Sequence, residues 1–352
     1  MKNKQFKFIL ILLAVLALLF WSVFFISHRV GSPGFITESL KLSHEAPDNQ
    51  SDDSSGNQLN SSHVQDFAVL WISDFIGNRI LGLSPTGETI WEQNMSKQPI
   101  PDESRNVSCE YVTVAPNGNL IVADGDGMMV QEIDRKTHAL IWQYGVRSKQ
   151  GYSNGLIHQP DKSFKINDHE VVINDGNNRR VIIVDQRTND IVWQYGENMK
   201  MGSEPGFLKG NTCVVPLNEG QQFIITDTLE NKIIIVDRAT KQIIWEWKKP
   251  DAAWLEHVFP TKEGTFILED RLQNEVFEVD REGKILWTIE RLADGSYLNY
   301  PTDTAKLSNG NILIAEAQRG RVIEVVPDTG KIVRQFNGTG FVTTIAVDQK
   351  GL

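Results

Sequence analysis

The chain has 352 residues, 35 basic and 45 acidic side chains, and a formal net charge of −10. With 40% hydrophobic and 23% charged residues it can fill a core, which excludes wholesale disorder. The acidic balance argues against a nucleic-acid partner, because phosphate contacts need clustered Lys and Arg. Two cysteines, Cys109 and Cys213, with no Cys-x-x-Cys spacing, argue against a disulfide framework or a thiolate zinc site.

The first predicted element is a membrane segment. Phe8 to Ile26 holds one polar residue, Ser22. A helix of that length rises about 28 Å, close to the hydrocarbon thickness of a bilayer. Lys2, Lys4 and Lys7 precede it and Arg29 follows, so residues 1–29 carry +4 and the rest −14. The positive-inside rule places the N-terminus in the cytoplasm and the remainder outside, at the cell membrane. A cleaved signal peptide is the alternative. Its apolar run would be shorter and would end in a small-x-small site, so an uncleaved anchor is the better reading. Residues 30–65 follow, with eight serines, six Asp or Asn and one aromatic, Phe35. Such a stretch buries too little apolar surface to offset its ordering entropy and reads as a flexible tether.

From Asp66 to the end the sequence repeats. Trp91, Trp142, Trp193, Trp245 and Trp287 recur at steps of 51, 51, 52 and 42 residues. Asp74, Asp124, Asp175, Asp227, Asp270 and Glu316 each end an apolar run. Ten residues after four of them stand Asp134, Asp185, Asp237 and Asp280. One unit contains four short strands: Tyr111 to Ala115, a strand ending at Asp124, Val130 to Asp134, and Ala139 to Tyr144, with Gly, Asn, Asp and Pro between them. Six such units predict an all-β, six-bladed β-propeller over residues 66–352. The first unit starts at its second strand, and the run 341–351 reads as a first strand. The C-terminal strand is therefore expected to complete blade one and close the ring, which removes exposed sheet edges. The five tryptophans are expected to cover the seams between blades. The sixth unit has Arg334 there and must pack differently.

Asp175-Gly-Asn-Asn-Arg-Arg-Val-Ile-Ile-Val-Asp185 resembles the Asn-His-Leu type of propeller repeat. Asp237-Arg-Ala-Thr-Lys-Gln-Ile-Ile-Trp245 and Ser84-Pro-Thr-Gly-Glu-Thr-Ile-Trp91 resemble the Asp-x-x-Thr-Gly-Lys-x-x-Trp motif of pyrroloquinoline-quinone-like repeats. The resemblance spans the repeat region and implies a fold more than an activity. It does not imply a bound quinone: quinone dehydrogenases of this type have eight blades and vicinal cysteines, and this chain has six units and no adjacent cysteines. No cofactor is predicted. The tryptophan motif is shared with non-enzymatic scaffolds, such as those that help assemble outer-membrane proteins. Pro116 to Val122 and Ser308 to Ile314 are similar to the blade openings of arylsulfate sulfotransferases, which implies the alternative of a histidine-dependent propeller enzyme.

In a propeller, the loops leading into first strands and those between second and third strands gather around one mouth of the central channel. Those positions hold Glu110, Tyr111, Arg179, Arg271 and Tyr300 as candidate ligand-binding residues, and His158 and His257 as candidate catalytic ones. The two histidines fall at comparable places in units three and five, where an imidazole can act as acid, base or nucleophile. The plainer reading, and the favoured one, is that each caps a strand or hydrogen-bonds a neighbouring loop. The recurring acids suit turn capping rather than metal binding, since a calcium loop would need more carboxylates together; no metal site is predicted. The reading that follows is a membrane-anchored, extracytoplasmic propeller that binds a protein, peptide or glycan. The alternative is an arylsulfotransferase-like transferase or a hydrolase using His158 or His257.

Overall fold

The computed structural model describes residues 66–95 and 109–350. The expected membrane segment 8–26 and tether 30–65 lie outside the described residues. Among those described, no helix is long and apolar enough to cross a membrane.

Twenty-four strands form six antiparallel sheets of four. Blade 1 contains β1 (Val69–Asp74), β2 (Arg79–Leu83) and β3 (Thr89–Asn94). Blade 2 is β4 (Tyr111–Val114), β5 (Leu120–Asp124), β6 (Met129–Ile133) and β7 (Leu140–Tyr144). Blade 3 is β8 (Phe164–Lys165), β9 (Glu170–Asp175), β10 (Arg180–Asp185) and β11 (Asp190–Tyr195). Blade 4 is β12 (Asn211–Leu217), β13 (Gln222–Asp227), β14 (Lys232–Asp237) and β15 (Ile243–Lys248). Blade 5 is β16 (Leu255–Pro260), β17 (Phe266–Asp270), β18 (Glu275–Val279) and β19 (Ile285–Ile289). Blade 6 is β20 (Pro301–Lys306), β21 (Ile312–Glu316), β22 (Arg321–Val326) and β23 (Lys331–Asn337). The last strand, β24 (Val342–Asp348), pairs antiparallel with β1 and completes blade 1. Ring closure by the C-terminal strand is thus what the repeat predicted.

The hydrophobic core is divided by seam. One buried cluster lies between each neighbouring pair of blades, six in all among the described residues. The seam across the closure joins Leu70 and Ile72 of blade 1 to Leu313 and Val322 of blade 6. Four of the five recurring tryptophans tie their blade to the next at the outer rim. The indole N–H of Trp91 donates to the Arg135 carbonyl at 2.7 Å, Trp142 to Asn189 at 2.7 Å, Trp193 to the Arg238 carbonyl at 2.8 Å and Trp245 to the Arg281 carbonyl at 2.8 Å. Trp287 instead donates within its own blade, to Glu278 at 2.6 Å. Arg334 takes the sixth place: it donates to the Pro85 carbonyl of blade 1 and lies over Phe67 and Phe336.

The residue before each of these six is apolar and exposed: Ile90, Ile141, Val192, Ile244, Leu286 and Val333. Register explains this. Gly82 faces Trp91 while Leu83 faces Thr89, so Ile90 is an extra, bulged residue, and the other five blades skip the equivalent position. A β-bulge pushes one residue out of the ladder and bends the strand. These exposed side chains are products of strand geometry.

The recurring acids do cap turns. Asp74, Asp124 and Asp270 accept the N–H of Gly77, Gly127 and Gln273 in the loop that follows. Several also capture the chain entering the inner strand: Asp175 accepts His158 N–H, Asp227 accepts Gly210, Asp270 accepts Trp254, Glu316 accepts Asn299 and Asp74 accepts Phe341. Gly340, at φ 74°, passes so close to Asp74 that a Cβ there would fall 2.0 Å from its carboxylate. The second set of acids does the same for the opposite turns, Asp134 accepting Lys136 and Thr137 and Asp237 accepting Thr240.

Candidate functional site

The captured N–H gives five of the six inner strands a common origin, and in blade 2 Glu110 N–H donates to the Ala123 carbonyl instead. A few residues further on, each strand sends one residue to the channel at one level. Thr344 pairs with Ser73, Tyr111 with Ala123, Cys213 with Thr226 and Asp303 with Ala315, each partner being the residue just before the capping acid. Asp161 reaches the same level by donating its N–H to the Asn174 carbonyl, and His257 by donating its N–H to Glu269 Oε2 at 3.2 Å.

At that level the channel is filled by charge. His257 is 0% exposed. Its Nε2 lies 3.6 Å from Asp161 Oδ1 and its Nδ1 3.6 Å from Asp303 Oδ1, ion-pair distances just beyond a hydrogen bond. Lys162 Nζ holds both oxygens of Asp303 at 2.8 Å, and Ile345 N–H donates to Asp303 Oδ2 at 2.9 Å. Tyr111 meets the His257 ring edge to face, with centroids 5.4 Å apart. Residues from blades 1, 2, 3, 5 and 6 are thereby joined in one network.

Its protonation follows from these neighbours. Burial alone would lower the His257 pKa, but Asp161 and Asp303 outweigh it and hold the imidazole protonated well above the usual histidine range. Burial would raise Asp303, yet Lys162 and His257 depress it. Burial also works against the Lys162 ammonium, and Asp303 more than restores it. Asp161 is raised by burial, and Glu269 is pushed up to about 7 by burial and by the charge of Asp303. Cys213 rises to about 11 through burial, so it is a thiol. The result is a plug in which the cations Lys162 and His257 face the carboxyl groups of Asp303 and Asp161. Both imidazole nitrogens are engaged by carboxylates, so His257 offers no free base.

Towards solvent, the mouth of the channel carries a second group. Arg271 Nη1 donates to Glu256 Oε1 at 2.8 Å, and Trp254 Nε1 donates to Glu256 Oε2 at 2.5 Å. The Arg271 guanidinium lies 5.2 Å from the Trp254 ring and 4.9 Å from the Tyr300 ring. Burial works against its charge, and Glu256 more than compensates. Cation–π attraction to both rings, with the Glu256 carboxylate, holds the guanidinium in place.

Of the sequence-predicted residues, His257 and Tyr111 therefore meet in the plug, and Arg271 and Tyr300 meet at the channel mouth above it. His158 does not join them. Its N–H is the one captured by Asp175, which makes it the counterpart of Trp254, three positions before His257. The two histidines are thus not equivalent, because blade 3 begins its inner strand late. Burial and then the charge of Arg179 lower the His158 pKa, the direction opposite to His257. Arg179 sits in left-handed backbone at φ 60°, in the loop after β9, with burial lowering its pKa. Glu110 packs its carboxylate against Gly125, and its carbonyl accepts the hydroxyls of Thr343 and Thr344. It stitches blade 2 to blade 1. Cys109 and Cys213 are both buried and unbridged.

Asp161, Lys162, Glu269 and Asp303 escaped the sequence reading. They belong to no motif, and the bulges between Leu255 and Val258 and between Pro301 and Asp303 hide their common level.

Comparison with known proteins agrees with the fold. Residues 77–204 and 177–337 match the sequence profile of the family described as outer membrane protein assembly factor BamB. No curated protein matches the chain. Among solved structures, a protein of unknown function from Bacteroides caccae is 13% identical, covering 80% of this chain and 98% of its own, with a TM-score of 0.59. The propeller domain of Cps50 (Swd1) from Myceliophteria thermophila is 13% identical, covering 76% and 86%, with a TM-score of 0.51. A streptogramin B lyase is 10% identical, covering 68% and 70%, at 0.49. At these identities the likeness concerns fold alone.

Proposed function

Since the chain belongs to the family described as outer membrane protein assembly factor BamB, we propose that its propeller is a binding domain for an extended peptide or protein partner. The apolar segment 8–26 would hold it at the membrane, outside the cytoplasm. One observation carries the reading. Setting aside the outer strands, all the large exposed apolar side chains among the described residues lie at one end of the propeller, here called the upper face. Ile76, Leu229 and Leu272 sit in loops between second and third strands. Tyr152, Met199 and Tyr297 sit in connections between blades. Ile76 is 75% exposed and Met199 57%. The turns at the opposite, lower face carry none. Large apolar side chains gathered on the loops of one face, and absent from the turns of the other, favour an interaction site there, and methionine adapts its shape to different partners.

The transferase alternative has less support. The histidine that reaches the channel is buried and held between carboxylates, and His158 stands apart from it.

Selection of phage-displayed twelve-residue peptides against the full chain tests the reading. Peptides rich in aliphatic and aromatic residues should be retained by the wild type and by a lower-face variant, Thr137→Asp with Lys262→Asp. They should be lost from Leu229→Asp with Leu272→Asp. Retention by the upper-face variant, or an empty selection, would remove the proposal.

A further inference from the structure

The inner strands run in the same direction around the channel, from the upper face to the lower. The residues that follow the plug in each strand therefore form the next level down. There they enclose a pocket of about 230 Å³ lined by all six blades. Its walls are apolar, with Phe164, Val215, Phe259, Ala305, Ile345 and Val347 among them. Three lining residues carry polar side chains: Thr113, Lys162 and Thr304. The Thr113 hydroxyl is committed to the Ser163 carbonyl at 2.6 Å. Thr304 follows Asp303 in β20, beside the buried Glu269 carboxyl. Lys162 is the distinctive member. Its side chain is 7% exposed, and an ammonium carries three protons. The two Asp303 oxygens take two of them, at 2.8 Å each. A buried donor is rarely left without an acceptor in a folded protein.

Charge decides what kind of acceptor would suit. Asp303 already neutralises Lys162, and Asp161 faces His257 immediately above. No net positive field remains to repay the desolvation of a carboxylate or phosphate. Size sets a second limit. The pocket's volume is about 230 Å³. That is below the range of drug-sized ligands.

We propose that this pocket binds a small, uncharged, mainly apolar molecule carrying one hydrogen-bond acceptor, such as a carbonyl oxygen, which takes the third proton of Lys162. The apolar body lies among Phe164, Val215, Phe259 and Ile345, and the molecule enters from the lower face. This site is separate from the partner surface above, because the plug closes the channel between them.

Methyl-resolved NMR of the full chain tests it, with acetophenone, ethylbenzene and benzoate as probes. Acetophenone should shift the Ile345 and Val215 methyl signals saturably. Ethylbenzene, which keeps the ring and the two-carbon chain and lacks the carbonyl oxygen, should bind about ten-fold more weakly, the factor expected for a hydrogen bond to a charged donor. Benzoate should not bind. Ala305→Phe fills the pocket from a wall residue and should abolish the shifts. Lys162→Met should equalise the two apolar probes. Should that variant misfold, the wild-type preference and Ala305→Phe still decide the matter. Equal affinity for acetophenone and ethylbenzene in the wild type, shifts that persist in Ala305→Phe, or no shifts at all would each overturn the proposal.

Discussion

At the upper end of the propeller the channel is packed with charge, while the surrounding loops expose Ile76, Leu229 and Leu272. At the lower end the channel is an apolar pocket, while the surrounding turns, built on Asp134, Asp185, Asp237 and Asp280, carry polar side chains outward. The two ends share the same strands and repeat, and differ in the loops that join those strands and in the side chains they present. A propeller's ends are thus independently adjustable: the seams supply the stability, and the loops and channel positions are free to differ. The plug is costly by itself, since buried charges stabilise only when fully paired. It keeps the two ends from communicating through the channel.

Four experiments would break or sharpen this contrast. Deleting β24 has the largest expected effect. That strand gives Thr344 to the upper level and Ile345 and Val347 to the pocket below, and it is the only partner of β1 on its inner side. Its loss should abolish a single cooperative unfolding transition by circular dichroism; an unchanged melt would refute closure as the source of cooperativity. Next comes Asp303→Ala, which leaves Lys162 and His257 buried without their shared counter-charge. A loss of ~3–5 kcal/mol in urea unfolding is expected. A loss under ~1 kcal/mol would mean the plug is solvated rather than sealed.

The third is a pH dependence that belongs to the upper end alone. His257 and Glu269 both have raised folded-state pKa values, so the folded protein binds protons that the unfolded chain has released. The Glu269 contribution is lost as pH rises from its unfolded value towards about 7, and that of His257 is full below ~6.5 and is lost at higher pH. Stability should therefore fall between pH 6 and 9 by about 1 kcal/mol or more, and His257→Gln should flatten that slope. A slope unchanged in the variant would assign the effect elsewhere. The smallest effect on stability is expected from Leu272→Asp, within ~0.5 kcal/mol, because the side chain is exposed and packs little. Peptide binding should nonetheless fall, which separates the surface from the scaffold.

Much of this architecture is legible in the residues themselves. Tryptophans at steps near 51 and acids ten residues apart announce blades, and an opening unit without its first strand announces closure. Even the sixth seam is readable, because Arg334 stands where tryptophan is expected. Part of the plug and of the mouth was legible too, through Tyr111, His257, Arg271 and Tyr300. His158 misled because sequence spacing counts residues and the channel counts levels. The late inner strand of blade 3 and the bulges in blades 5 and 6 shift the two scales by a few residues.

By itself, then, the sequence determined the number of blades, their order, the ring closure and the location of the seams, because these depend on local strand patterning repeated at a fixed period. Only the tertiary structure decided which side chains share a level in the channel. It brought together Asp161, Lys162, His257 and Asp303, which are separated by up to 142 positions, and it fixed their protonation. Charge, burial and acceptor count are properties of a meeting point in space, and no single repeat contains that point.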